Sequence, residues 1–167
     1  EIGQTDLVTP SEYQALRRAE LAFKRLRIEL HLLAGRREDR LLFDLQPSLA
    51  KVYGFEATRT RRPSELLMQR YYWAARVVNQ LNTILMQTFE ERLFPETRGE
   101  WRALDDDFCV AYNRLDTQLP DAFERNPTLL LRAFLVMQEH AELTGLSAQV
   151  MRAMWHARRL IDTQFRR

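Results

Sequence analysis

A single uninterrupted helix is predicted by the stretch PSELLMQRYYWAARVVNQLNTILMQTFEERL, at Pro63–Leu93. At about 1.5 Å per residue, such a helix measures on the order of 45 Å. A wide apolar face on so long a helix needs partners on more than one side. This predicts an all-α helical bundle with one long central helix. The inner stripe consists of Leu67, Tyr71, Ala74, Val78, Leu81, Leu85 and Phe89, and it is widened by Leu66, Trp73, Val77 and Ile84.

A second long helix is predicted upstream by the capping sequence TPSE. Thr9 has the chemistry of an N-cap, Pro10 suits the first helical position, and Glu12 completes a capping box. Gly35 is expected to end this helix, because only glycine adopts a positive φ at little cost. One side of the helix is apolar and another is polar and mostly basic. The apolar stripe is Leu16, Ala19, Phe23, Leu26, Leu30 and Leu33, and the polar stripe is Arg17, Glu20, Lys24, Arg27 and His31.

Shorter elements are predicted around these two helices. Gln46 and Pro47 begin a short helix that closes at Gly54. Alternation of apolar and polar residues predicts a small β-hairpin near 108–119, with its turn at Asn113-Arg114. In that register Phe108, Val110 and Tyr112 face Leu115, Thr117 and Leu119. Further helices are predicted at 121–125, at 127–140, and from a cap at Ser147 toward Phe165.

The composition is that of one soluble domain. The 167 residues are the length of one domain, and 46% hydrophobic with 29% charged residues is ordinary for a globular protein. Together with the helical periodicity, this predicts a single helical domain over residues 1–167. The 25 Lys and Arg residues are interleaved with 23 Asp and Glu residues, which argues against a nucleic-acid partner. No apolar run is long enough to span a bilayer, so we expect no membrane partner. A lone cysteine, Cys109, fits a reducing cytoplasm.

Catalytic and metal-binding signatures are missing from the sequence. His31, His140 and His156 lie far apart, none is followed by aspartate, and Cys109 has no second thiol to share a metal. The triplet Asp105–Asp107 contains the pattern Asp-x-Asp, but no Gly-Ser turn precedes it, so we expect a solvated loop or turn. We therefore predict no catalytic residue and no metal ligand within this chain.

One short segment, residues 30–50, concentrates polar side chains between two predicted helices. Two alternatives fit it. In the structural one, His31 caps its helix or forms an ion pair with Asp39 or Asp44; in the functional one, a polar wall faces a ligand. Arg70, with Tyr71 and Tyr72, could likewise reach a nucleotide, although Tyr71 falls on the apolar stripe. The candidate residues for substrate binding or interdomain contact are His31, Arg36, Asp39, Asp44, Gln46 and Arg70.

Three stretches resemble a known family. They are LHLLAGRREDRLLFDLQPSLAKVYGF, MQRYYWAARVVNQLN and NPTLLLRAFLVMQEHAELTGLSAQVMRAMWHARRLID. The first is the most specific, through Gly35-Arg36-x-x-Asp39-Arg40-Leu41 followed by Phe43-Asp44-x-Gln46. Together they resemble the bifunctional PII uridylyltransferase/uridylyl-removing enzymes. The likeness is to the helical segment between the nucleotidyltransferase domain and the HD phosphohydrolase domain.

The resemblance implies an enzymatic parent for this chain. Such a parent uses Mg²⁺ to transfer UMP from UTP to a tyrosine of the PII regulatory protein, and hydrolyses it off again, in response to glutamine. The family's Gly-Ser and Asp-x-Asp signature, its His-Asp signature and its ACT domains are absent here, so no catalytic residue can be assigned. We expect a segment that is inactive alone, and whose partners are its own nucleotidyltransferase and HD domains and PII.

Two alternatives to this parent stay open on the sequence. The chain could be a free-standing helical protein-interaction module. It could also be the substrate domain of another nucleotidyltransferase, such as the adenylyltransferase that acts on glutamine synthetase.

Overall fold

The computed structural model describes residues 7–94 and 101–161. Helices dominate these residues, and a small three-stranded antiparallel sheet accompanies them, which confirms a mainly α fold. None of the described helices is long and apolar enough to cross a bilayer. The elements are α1 (Pro10–Ala34), α2 (Gln46–Val52), α3 (Pro63–Leu93), β1 (Arg102–Ala103), β2 (Phe108–Ala111), β3 (Arg114–Thr117), α4 (Ala122–Arg125), α5 (Leu129–Glu139) and α6 (Ala148–Ala157), with short 3₁₀ helices at Phe43–Leu45 and Arg158–Leu160.

The chain divides into two compact units. The first is Glu1–Asn82 and the second is Thr83–Arg167, so the division falls within α3. The sequence-based expectation of a single domain stays a prediction.

Both ends of α1 follow the sequence prediction. The Thr9 hydroxyl accepts a hydrogen bond from the backbone N–H of Glu12 at 3.3 Å, and the Glu12 carboxylate accepts one from the N–H of Thr9 at 2.8 Å. This reciprocal pair is the predicted capping box. Gly35 ends the helix with φ 63°, the left-handed conformation expected of it.

The core of the first unit joins α1, α2 and α3. The ring of Tyr71 packs against this core and lies 5.7 Å from the ring of Phe23, edge to face. Tyr71 therefore packs, partly buried, against the apolar interior, as its place on the predicted stripe indicated. The buried residues of this core are Leu26, Leu30, Leu49, Ala50 and Leu67.

The predicted apolar stripes are wrong at three positions. Trp73 is 63% exposed, and Leu33 and Phe89 are also exposed. Trp73 lies about 120° around the helix from Leu67, beyond the arc that the core covers. Leu33 lies one residue before the end of α1. Phe89 lies about 140° around α3 from the buried Ile84, and so on another side of the helix.

The second unit contains the predicted β-hairpin, but its register differs from the prediction. The turn is Tyr112-Asn113, both with φ 56°, instead of Asn113-Arg114. Positive φ at both central residues is typical of the type I′ turns that match the twist of paired strands. As a result Val110 pairs with Leu115, and Phe108 pairs with Thr117, the partner predicted for Val110.

A third strand and the helices complete this unit. Strand β1 pairs with β2, but its two residues are too few to show a periodic pattern in sequence. Ser147 caps α6 as predicted, accepting a hydrogen bond from the N–H of Val150 at 3.0 Å. Helix α6 ends at Ala157, and the predicted approach to Phe165 lies outside the described residues. The buried core consists of Phe108, Val110, Leu115, Ala122, Phe123, Leu129, Leu130, Ala133, Val136, Leu143, Val150 and Ala157.

The C-terminal part of α3 is hydrogen-bonded to the start of α6. The side-chain amide of Gln87 donates to the carbonyl oxygen of Leu146 at 2.8 Å and to Glu91 at 3.1 Å. The Glu91 carboxylate in turn accepts from the N–H of Ala148 at 3.2 Å. Glu91 thereby satisfies a free N–H at the first turn of α6, which ties the two helices together.

Candidate functional site

The polar residues after α1 form a compact cluster, which we name the arginine corner (Arg27, His31 and residues 36–40). Because Gly35 takes the left-handed conformation, the chain reverses at the end of α1. The reversal brings Asp39 back against the polar stripe of α1, where it meets Arg27 and His31.

Asp39 is the centre of one half of the corner. Its carboxylate accepts hydrogen bonds from Arg27 Nε at 2.6 Å and Arg37 Nε at 3.2 Å, and His31 Nε2 lies 3.2 Å from it. The bond from Arg27 is the main reason that the pKa of Asp39 is lowered to about 2, with His31 and Arg37 adding to it. The structure thus places His31 within hydrogen-bond distance of Asp39, the contact that the structural alternative requires, and the functional role of His31 stays a prediction.

Glu38 is the centre of the other half. Its buried carboxylate accepts from Arg40 Nε at 3.0 Å, from the Arg40 backbone N–H at 3.1 Å and from Arg36 Nη2 at 3.0 Å. The side chain of Arg40, and then its N–H, hold the pKa of Glu38 below its usual value. The sequence analysis did not single out Glu38. Its position between arginines in GRREDR was the feature that could have indicated its ion pairs.

The corner has more cations than carboxylates. Four guanidinium groups face two carboxylates, which leaves two positive charges uncompensated within the cluster. The side chains of Arg36, Arg37 and Arg40 are 67–79% exposed, so each offers unused N–H donors to the outside. A guanidinium held by a carboxylate on one side can bind a phosphate or carboxylate on the other.

The other predicted site residues lie outside this cluster. Asp44 is exposed in the 3₁₀ helix, and Gln46 is buried at the start of α2. Arg70 is exposed on α3, close enough to Tyr53 to affect its pKa. Within the described residues, no hydrogen bond or ion pair joins any of these three to Asp39. The structure thus brings together His31 and Asp39, and pairs Arg36 with Glu38.

The Asp105–Asp107 segment forms the predicted loop, between β1 and β2. Asp105 accepts hydrogen bonds from the N–H groups of Asp107 and Phe108, both at 2.8 Å. Arg132 donates to the Asp105 carboxylate at 2.6 Å and to that of Asp107. Both carboxylates are therefore engaged by the fold. In residues 7–94 and 101–161, no group of three or more His, Cys, Asp or Glu side chains is placed to hold a metal ion.

Two further titratable groups of the second unit pair across the hairpin, the buried Cys109 on β2 and the half-buried Asp116 on β3. Burial raises the pKa of Asp116, although the Thr117 N–H and the Ser147 hydroxyl both hydrogen-bond to it and oppose the rise. Burial also raises the pKa of the Cys109 thiol, and the charge of Asp116 adds to this effect. A buried thiol of raised pKa is a poor nucleophile.

Comparison with protein families gives two matches. Residues 1–86 match the family model described as GlnD PII-uridylyltransferase. Residues 108–167 match the model described as Uridylyltransferase GlnD third domain. The first match includes the whole arginine corner, and the second begins at the first residue of β2.

Curated relatives match over the entire chain. The protein named bifunctional uridylyltransferase/uridylyl-removing enzyme from Bordetella pertussis is 67% identical over 100% of this chain and 19% of its own length. Proteins of the same name are 44% identical in Burkholderia lata, over 100% of this chain and 20% of theirs, and 42% identical in Aromatoleum aromaticum, over 99% and 19%. The chain thus spans about a fifth of these relatives. No solved structure matches it.

Proposed function

Because the chain belongs to the GlnD PII-uridylyltransferase family, we propose that it is a helical segment of a bifunctional enzyme of nitrogen regulation. In this proposal the parent transfers UMP from UTP to a tyrosine of PII in the cytoplasm, and hydrolyses it off again, in response to glutamine. The observation that carries the proposal is the match of the whole chain to relatives named for both activities. It favours this parent over a free-standing module or an adenylyltransferase.

The segment itself is proposed to position substrate or to pack against the catalytic domain. Nucleotidyl transfer depends on holding the triphosphate in line with the attacking hydroxyl while its charge is neutralised. A catalytic domain supplies one wall of such a site, and a helical neighbour can supply the opposite wall. In this proposal α3 is the central helix, because it provides Leu67 to the first core and Gln87 to the contacts of the second unit.

Mg²⁺ and UTP are assigned to the parent and not to this chain. Mg²⁺ prefers several free oxygen ligands in octahedral geometry. The clustered carboxylates in the described residues are already occupied, since Arg132 bridges Asp105 and Asp107, while Arg27 and Arg40 hold Asp39 and Glu38. These side chains do not fit a magnesium site. In the isolated segment we therefore expect neither transfer nor removal of UMP.

The arginine corner is proposed as the contact with substrate or with the neighbouring domain. Its exposed, partly uncompensated arginines suit either a triphosphate or a carboxylate-bearing surface. Asp39 and Glu38 orient these arginines and do not themselves meet the ligand. Asp44 and Arg70 complete the proposed contact from the 3₁₀ helix and α3, and the buried Gln46 supports it from the start of α2.

Steady-state kinetics of the full-length enzyme would test this role. Replacing His31, Arg36 or Gln46 by alanine should raise the KM for UTP several-fold or abolish UMP transfer to PII. Arg59→Ala, in the exposed connection between α2 and α3, is the matched control and should leave both unchanged. If the corner variants keep wild-type kinetics while only their Tm falls, the corner is structural.

A further inference from the structure

One exposed face of α3 combines aromatic rings with unpaired cations. Tyr72 and Trp73 are 62% and 63% exposed, and Arg70 and Arg76 are exposed beside them. Trp73 is three residues from each arginine, so the three side chains lie next to one another on the helix surface. We name these four residues the α3 outer face.

The charge of this face is not balanced by α3 itself. Between Glu65 and Glu90 the helix has no acidic residue, and Arg70 and Arg76 are its only charges there. Within the described part of the chain, neither arginine forms an ion pair or a hydrogen bond. Each guanidinium of the arginine corner, in contrast, is held by Glu38 or Asp39.

This combination of residues indicates the chemistry of the partner. Tryptophan, tyrosine and arginine are the residues enriched at the energetic centres of protein interfaces, where a large ring fills a pocket. Two uncompensated guanidinium groups at the rim attract carboxylates, which they can bind in bidentate fashion. The matching surface is thus an apolar pocket for Trp73, flanked by acidic side chains for Arg70 and Arg76.

We propose that the α3 outer face docks onto an acidic, apolar-centred surface of another domain of the same parent polypeptide. This inference rests on the proposed function, because it requires that the chain be one part of a longer enzyme. The Bordetella pertussis relative supports that requirement, since this chain corresponds to 19% of its length and leaves ample chain to supply the surface.

Hydroxyl-radical footprinting of the full-length enzyme measures whether Trp73 is covered. Trp155, which is 8% exposed, is the internal standard for a protected indole, and the urea-unfolded enzyme gives the open limit. We expect Trp73 to be oxidised within about twofold of the rate of Trp155, because interface centres exclude water. Oxidation of Trp73 near the open limit would overturn the inference.

Zero-length carbodiimide cross-linking identifies what covers the face. The variant Arg76→Lys adds an amine to a chain whose only lysines are Lys24 and Lys51. We expect a cross-link from position 76 to an Asp or Glu outside residues 1–167 of the same polypeptide. Arg59→Lys is the matched control for random links from an exposed position. A link between two copies, or no link beyond the control level, would overturn the inference.

The two proposals fail in different ways. UMP transfer to PII, measured on the same unmodified preparation, tests the proposed function. An active enzyme with an open Trp73 refutes only the docking inference, whereas an inactive enzyme with a protected Trp73 refutes the parent activity and leaves the docking. Protection of Trp73 that appears only on adding UTP would assign the face to nucleotide and overturn the inference.

Discussion

The arginine corner and the Asp105–Asp107 loop use the same chemistry in opposite proportions. In the corner, Asp39 gathers two arginines and a histidine. In the loop, Arg132 gathers two aspartates, and its guanidinium carbon lies 5.7 Å from the ring centre of Phe108. The corner therefore keeps unused cationic donors, whereas both carboxylates of the acidic loop are bound by Arg132. The excess of arginines in the corner leaves N–H donors free to bind a ligand or a partner. The two aspartates bridged by Arg132 instead stabilise the loop.

The two networks also differ in how far apart their members lie in sequence. The corner pairs residues 2–12 positions apart, so it is assembled by one helix end and the reversal after it. The loop pairs Arg132 with residues 25 and 27 positions away, which requires α5 to pack beside the sheet. Loss of the loop network should therefore cost more stability than loss of one bond in the corner.

The largest effect is expected from Arg132→Ala. The change leaves two neighbouring carboxylates without their shared cation, and it should lower the free energy of unfolding by about 2 kcal/mol. Arg125→Ala removes only an exposed ion pair with Asp121 one helical turn away, and should cost less than about 0.5 kcal/mol. Urea denaturation monitored by circular dichroism measures both. If the two variants lost equal free energy of unfolding, the contacts of Arg132 would stabilise the fold no more than an exposed ion pair does.

A smaller effect is expected from Gly35→Ala, which acts on the reversal that builds the corner. The added Cβ meets no atom within 4 Å, so the cost comes from placing a side chain at φ 63°. This should lower the free energy of unfolding by about 1 kcal/mol. Gly35→Asn, which tolerates the left-handed conformation better, is the matched control and should lose less in the same denaturation experiment. An alanine variant as stable as the wild type would contradict this account.

The smallest effect on stability is expected from Arg27→Ala, which should also change the titration of Asp39. Arg27 is the main cause of the low pKa of Asp39, so the midpoint should rise from about 2 toward the ordinary 3.8. A lowered pKa contributes stability above the unfolded value, and that contribution disappears as pH falls from about 4 to 2. The variant should therefore lose less stability across this window than the wild type.

Carboxyl ¹³C chemical shifts measure the Asp39 midpoint directly. Arg37→Ala is the comparison, since Arg37 contributes less to the low pKa of Asp39 than Arg27 does. If Arg37→Ala moved the midpoint further than Arg27→Ala, the order of the two contacts in the corner would be reversed.

Much of the helical structure could be predicted from sequence, because it depends on neighbours within one turn. Thr9 and Gly35 end α1 where predicted, and α3 has the predicted bounds of Pro63–Leu93. The hairpin was found but its register was displaced, since the choice between Tyr112-Asn113 and Asn113-Arg114 depends on strand pairing. Either turn position leaves the same residues of the two strands on the apolar face, so the alternation of apolar and polar residues does not distinguish the two registers.

The sequence located the candidate site, but it did not show which of its side chains form ion pairs with one another. The pattern indicated that residues 30–50 were unusual and that His31 could meet Asp39, as it does. Glu38 was overlooked because its burial depends on how the chain folds after Gly35. Trp73 was placed on the apolar stripe because periodicity reports which face is apolar, and not how wide an arc a neighbouring helix covers.

The sequence by itself determined the helix ends, the mainly α composition and the family, since capping, periodicity and motif are local properties of the chain. Tertiary structure decided which charges are neutralised and which are left over. Ion pairs form only where the fold brings side chains within a few ångströms. That proximity holds Arg36 against Glu38, and it leaves Arg76 exposed on α3.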